Sequence, residues 1–253
     1  MNNVLEILPW DSRHFGFSVA QIVSETLDAS EIMAALQLAR QEAMELVYWL
    51  TDKDREVSED ILHQFTGLLV GRRVTFQADL ALQAQDVATK YAPGIQVVEY
   101  PRTAASEGLI GLGIAAGHLS RFCMDPRIPA NKTRQLYEVW TRKSALRERA
   151  DVVLVANARE TGTDPVGMVT VLEKSGVGVI GLIAVHQSFR GIGMGRQLLC
   201  AAHEWMLNHG MTKASVVTQE TNQSACRLYT RCGYQVLCIQ RHYHFWPLAA
   251  QQS

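Results

Sequence analysis

Apolar positions along the chain alternate between short β-branched runs and stretches with helical spacing. The clearest junction of the two lies between Val177 and His209. The run Val177–Val185 predicts a largely buried strand. His186–Phe189 predicts a polar turn, and Gly191, Gly193 and Gly195 follow it. Beyond the glycines, Met194, Leu198, Ala201, Ala202 and Trp205, with Leu199 and Met206, recur at helical spacing. An amphipathic helix is therefore expected to open inside the glycine loop and run to about His209, with Gly210 as its stop.

The same reading extends to the rest of the chain. Short strands are expected at Leu5–Leu8 and Val19–Val23, separated by Pro9–Phe17. Asp28 or Ser30 caps a helix through about Leu46, ahead of a strand at Val47–Leu50. Ser58 or Glu59 opens a short helix ending near Gly67, and Leu68–Leu82 carries one or two strands. Ala84–Gly94 turns polar and then Pro-Gly, which marks a boundary between residues 1–92 and 93–248. A strand restarts at Ile95–Tyr100. The helix-like segment after Thr103 and Glu107 toward Phe122 is bent or broken, because it holds Gly108, Gly111, Gly113 and Gly117. A further helix spans about Lys132–Arg149. Strands follow at Asp151–Asn157, Val166–Leu172 and Val177–Val185, then the glycine-loop helix, a strand at Ala214–Thr218, a helix at Thr221–Arg231 and a strand at Tyr234–Phe245. The order predicts an α/β (α+β) fold with a mixed, mostly antiparallel sheet flanked by helices.

Composition narrows the function classes. Of 253 residues 47% are apolar and 19% charged, enough to bury a substantial core. A net charge of −1 argues against nucleic acid or an anionic membrane as the main partner. The apolar runs are too short for a membrane span, and residues 1–20 lack the pattern of a signal peptide. Cys123, Cys200, Cys226, Cys232 and Cys238 lack C-x-x-C spacing, so they read as reduced thiols of a cytoplasmic protein, with neither a metal site nor a disulfide frame.

A strand that feeds a glycine turn into a helix N-terminus cradles anions, since the first helical amides are unpaired and the macrodipole is positive there. Arg190 and Arg196 bracket the loop. A P-loop would need Lys-Ser/Thr after its last glycine, but Gly195 is followed by Arg196-Gln197. The strict G-x-G-x-x-G fingerprint fits from neither Gly191 nor Gly193, although spacing alone leaves a loose variant open. Arg190-x-x-Gly193-x-Gly195, preceded by Ile183-Ala184-Val185, resembles the coenzyme A-binding segment of the GNAT N-acetyltransferases. Downstream, Asn222, Ala225, Tyr229, Gly233 and Tyr234 match that family's closing signature, N-x-x-A-x-x-x-Y-x-x-x-G-F/Y.

The resemblance implies a GNAT fold over about Ile95–Trp246, with acetyl-CoA as cosubstrate and no metal. It implies that Ile183, Ala184, Val185, Arg190, Gly191, Ile192, Gly193, Met194, Gly195, Arg196, Asn222 and Tyr229 contact the coenzyme. It further implies a catalytic set in which the Val185 amide serves the oxyanion, Asn222 caps its helix or faces a ligand carbonyl, and Tyr229 protonates the leaving thiolate. His14, His118, Asp125, Glu220, His242 and His244 are all conceivable bases for the amine, and a water chain is an equal alternative.

Two further stretches concern the acceptor. His118–Pro126 with Leu136-Tyr137-x-x-Trp140, and Leu8-Pro9-Trp10-Asp11-x-x-x-Phe15-Gly16, are similar to the TDP-fucosamine acetyltransferases of enterobacterial common antigen synthesis. Those enzymes pair a GNAT domain with an incomplete GNAT-like N-terminal domain. By this resemblance the acceptor is the amine of a nucleotide-linked deoxyamino sugar, with Trp10, Phe15, Arg121 and Asp125 as substrate contacts and a homodimer as the family's oligomer. Two other readings stay open: acetylation of another small amine or a protein terminus, and acyl-CoA binding without turnover.

Overall fold

The computed structural model describes residues 4–81, 95–158 and 164–249. Its backbone is one ten-stranded sheet in the order β1-β2-β3-β10-β4-β9-β8-β7-β6-β5. The strands are β1 (Leu5–Ile7), β2 (Val19–Ile22), β3 (Leu46–Asp52), β4 (Leu68–Asp79), β5 (Ile95–Glu99), β6 (Val152–Ala158), β7 (Gly167–Lys174), β8 (Val177–Val185), β9 (Lys213–Gln219) and β10 (Gln235–Phe245). Only β2–β3 and β8–β9 are parallel pairs; the rest are antiparallel.

Local sequence explains most of the helices: α1 (Pro9–Phe15), α2 (Ala29–Gln41), α3 (Glu59–Gln64), α4 (Glu107–Ala116), α5 (Arg121–Met124), α6 (Ala130–Ala145), α7 (Met194–Asn208) and α8 (Gln223–Arg231). Asp28 and Glu31 close a reciprocal capping box on α2. Proline at the first turn starts α1, a helix that the pattern of Pro9–Phe17 did not announce. The glycine-rich segment breaks as expected, into α4 and α5 about Gly117. Two of its glycines serve close packing on α6: a Cβ on Gly113 would lie 1.7 Å from Thr141 Oγ1, and one on Gly117 would lie 2.2 Å from the Tyr137 ring.

Alternation along β10 assigns the two faces. Ile239, Tyr243 and Phe245 point to the side covered by α2, α3, α7 and α8, and Gln240, His242 and His244 to the side of α1, α4, α5 and α6. The C-terminal strand does not sit at an edge. β10 lies between β3 and β4 and pairs with both, so the strands of residues 4–81 are joined to each other through the far end of the chain. The boundary expected within Ala84–Gly94 lies outside the described residues.

Candidate functional site

The functional geometry begins where two strands part. β8 and β9 pair in parallel from Val177↔Lys213 to Ile180↔Val216 and no further. β8 continues to Val185, held on its other side by β7. His186 N donates to Val166 O and Leu182 N to Thr170 Oγ1, so even-numbered residues turn their amides toward β7. By the ladder's alternation the Ile183 and Val185 backbone groups face the gap that β9 has left. The Val185 carbonyl accepts from Arg190 Nε at 3.0 Å, which pins the arginine across the mouth of the gap.

A 3₁₀ turn at Gln187–Phe189 carries the chain from β8 into the glycine loop. Gly193 is the N-cap of α7 with φ +87°, the left-handed region that favours glycine, and no side chain caps the helix. The first intrahelical bond is Gln197 N to Gly193 O, which leaves the amides of Met194, Gly195 and Arg196 unclaimed. A Cβ at Gly191 or Gly193 would meet open space, so the loop faces a void. That void is a cavity of about 770 Å³ bounded by the end of β8, the glycine loop, the start of α7, α8 and the end of α4.

Of the residues expected at a coenzyme, all but Ile192 line this cavity, and Ile192 is exposed beside it. Their contributions differ. Met194 is buried in the core, so only its backbone faces the cavity. Asn222 Oδ1 accepts from Ala225 N at 3.2 Å and caps α8, the first of its two expected roles. Tyr229 is 2% exposed, packed against Phe76 and Tyr234 at ring distances of 5.5 and 5.7 Å. Its hydroxyl makes no hydrogen bond among the described residues, yet it is not among the polar atoms sealed from solvent. Burial holds the phenol well above its ordinary pKa, so it is protonated at neutral pH.

Several cavity residues were not singled out from the sequence. Arg227 and Arg231 stand one turn apart on α8 and join Arg190 and Arg196 around the void. None of the four has an ion-pair partner among the described residues. Their i, i+4 spacing was a legible signal. Cys232 also lines the wall, and burial pushes its thiol up to about 11.

The conceivable bases separate sharply. His118 alone of the six lines the cavity; its Nδ1 lies 2.9 Å from Ala115 O, which makes Nδ1 the donor and leaves Nε2 free. Glu220 is engaged by Arg72 at 3.0 Å. His14 Nε2 lies 2.9 Å from Lys132 O, so that nitrogen carries a proton and donates. His242, His244 and Asp125 belong to a separate buried cluster.

The residues expected at an acceptor, Trp10, Phe15, Arg121 and Asp125, do not line the cavity. Phe15 is core, stacked near Phe17 and Phe122, while Trp10 is half-buried and stacks on His14 at 5.1 Å. Asp125 is 1% exposed and accepts from Trp246 Nε1 at 3.0 Å, the Arg127 amide at 3.0 Å and His244 Nδ1 at 2.8 Å. Burial raises its pKa, but those hydrogen bonds outweigh burial and leave it below the usual value. With Nδ1 of His244 donating to Asp125, Nε2 accepts from Arg121 Nη1 at 3.3 Å, and His242 Nε2 accepts from the same nitrogen at 3.2 Å. The guanidinium also stacks on Tyr48 and Phe122, 3.9 and 4.2 Å from their ring centroids. Burial holds His244 at about 4 and His242 well below its ordinary value, so both are neutral acceptors.

Residues 119–234 match the Acetyltransferase (GNAT) family. Over 147 residues the chain is 27% identical to the spore coat polysaccharide biosynthesis protein SpsD of Bacillus subtilis (strain 168), an overlap of 58% of this chain and half of that protein. The fold is similar to a tandem GNAT protein from the clavulanic acid biosynthesis pathway, with a TM-score of 0.62, 13% identity and coverage of 92% of this chain and 76% of that one. It is also similar to a GCN5-related N-acetyltransferase from Sphaerobacter thermophilus, with a TM-score of 0.59, 17% identity and coverage of 95% and 75%. A conserved protein of unknown function from Staphylococcus epidermidis aligns at a TM-score of 0.64, 11% identity and coverage of 94% and 88%. The parted strands, the uncapped glycine-loop helix and the two signature segments all lie within the residues that match this acetyltransferase family.

Proposed function

We propose that the protein is an acetyl-CoA-dependent N-acetyltransferase acting by direct attack in a ternary complex. Its acceptor on this reading is the amine of a nucleotide-linked deoxyamino sugar. The observation that carries the reading is the meeting, in one cavity, of the gap between β8 and β9, the unclaimed α7 amides and the Tyr229 hydroxyl. The amides of residues 191–196, with Arg190 and Arg196, bind the diphosphate, and Arg227 and Arg231 add positive charge beyond it. The Ile183 backbone groups bind the pantetheine chain, and the Val185 amide, whose carbonyl is held by Arg190, donates to the acetyl oxygen as negative charge gathers there.

Transfer forms a C–N bond and breaks the C–S bond; the amine loses one proton and the thiolate gains one. Tyr229, held protonated by burial, supplies the sulfur's proton. His118 Nε2, free and facing the cavity, is the base best placed for the amine. The polysaccharide-biosynthesis name of the Bacillus relative supports an acceptor among activated sugars. Release of free thiol from acetyl-CoA, assayed against a panel of amines, tests the proposal. Turnover with TDP-amino sugars is the expected result. Turnover only with other amines refutes the acceptor, and tight binding without turnover on any amine refutes the enzyme.

A further inference from the structure

Outside the coenzyme cavity, two arginines on the α5 side of the sheet have no acidic partner among the described residues. Arg121 is held by His242, His244 and two aromatic rings, and no carboxylate among the described residues lies within ion-pairing distance of it. The side chain of Arg73, on β4, makes neither a hydrogen bond nor an ion pair among the described residues. Arg73 is level with Gln240, which lies two residues from His242 on the same face of β10, and its positive charge acts on both Arg121 and His242. The acid whose charge acts on Arg121 is Asp11, whose own pKa burial raises; Tyr48 and Tyr137 also act on it, both neutral at physiological pH. Two half-buried guanidinium groups that repel each other through a neutral histidine are a costly arrangement unless an anion completes it.

Position relates this pair to the acetyl site. Arg73 is level with Gln219 on β9 and with Gln240 on β10. β9 leaves β8 after Ile180↔Val216, and Gln219 lies three residues beyond that parting. The Gln219 side chain makes no hydrogen bond, and its oxygen is sealed without a partner. One step along β9 on the same face, Val217 is 41% exposed, so no described helix covers this part of the sheet. Arg73 therefore stands two strands from β8 in the sheet order, across the gap between β9 and β8.

We propose that Arg73 and Arg121, with the Gln219 amide between them and β8, form a subsite for an oxyanion carried by the acceptor, across the strand gap from its reacting amine. The inference rests on placing the acetyl group at the end of β8. A phosphate and a carboxylate share the required chemistry, and the test separates them. The full-length protein is saturated with acetyl-CoA, so that the α7 amides are filled, and titrated calorimetrically with inorganic pyrophosphate and with malonate. At least one of the two is expected to bind. Arg73→Gln and Arg121→Gln are each expected to weaken that binding at least tenfold while leaving acetyl-CoA affinity unchanged. Tighter pyrophosphate assigns a phosphate-bearing acceptor, and tighter malonate a carboxylate-bearing one. Failure of both anions to bind, or unchanged binding in Arg73→Gln, overturns the subsite. Because Arg121→Gln also removes an interior anchor, Arg73→Gln, on a half-buried side chain with no partner, decides the matter if the other variant misfolds. A wild-type protein that does not bind acetyl-CoA would sink the proposed function; the same titration of the free protein would then decide the subsite alone.

Discussion

Gly193→Asp isolates the electrostatics of the glycine loop. At φ +87° a side chain is strained by about 1–2 kcal/mol, at the low end for Asp, which tolerates this region better than most. Nothing within 4 Å obstructs the new Cβ. A carboxylate at the cap of an uncapped helix returns about 0.5–1 kcal/mol, so folding stability should change little. Binding should not be spared. A carboxylate about 4 Å from one diphosphate charge costs about 1 kcal/mol at the dielectric of water and about 4 kcal/mol at an effective dielectric of 20. The expected loss of acetyl-CoA affinity is therefore about fivefold to a thousandfold, shrinking as salt is raised. Gly193→Asn has the same shape and the same tolerance of the left-handed region without the charge, and should lose far less. Calorimetric titration of both variants, with thermal melts as control, measures the difference. Equal affinities for the Asp and Asn variants would show that no phosphate approaches this loop.

Tyr229→Phe should lower turnover by about 10²–10⁴-fold with acetyl-CoA affinity near wild type. Its stability should be nearly unchanged, because the hydroxyl makes no hydrogen bond whose partner would be orphaned; full activity would remove the general-acid role. Acidification should destabilise the fold between about pH 6.5 and 4. Burial holds His203 and His244 at about 4, so across that window the unfolded chain binds more protons and stability falls as pH falls. Chemical denaturation at pH 7, 5.5 and 4.5 should show this, and a flat profile would contradict the buried neutral imidazoles. Asp125, with its pKa below the usual value, loses its contribution only at still lower pH. Truncation after Tyr234 removes β10 from between β3 and β4 and should yield no folded protein by circular dichroism; a cooperative melt would show that the two halves of the sheet stand independently.

The sequence was most legible where chemistry is local. The span of β8 is read to the residue, and the start of α7 in the glycine loop follows from apolar spacing plus the absence of any capping side chain. The capping box of α2 is likewise a four-residue signal. Sheet order is not local: nothing in the alternation of Gln235–Phe245 says that this strand enters between β3 and β4, because either neighbour satisfies the same pattern. The Arg121 cage was hidden for the same reason, since Tyr48, Arg121 and His242 meet only through that strand placement. α1 escaped because seven residues containing aromatic, acidic and basic side chains carry little periodicity. Helix α2 ends at Gln41 rather than near Leu46, where Ala43 turns to φ 54° and the Glu45 and Leu46 amides donate to Ser18 O.

The central claim concerns where a thioester carrier lies, and a crystal structure with bound acetyl-CoA tests it most directly. The diphosphate should lie within about 2.7–3.2 Å of the amides between Gly191 and Arg196, with the sulfur in hydrogen-bonding reach of the Tyr229 hydroxyl. A coenzyme bound elsewhere, or a sulfur turned away from Tyr229 with packed side chains between them, would contradict the account.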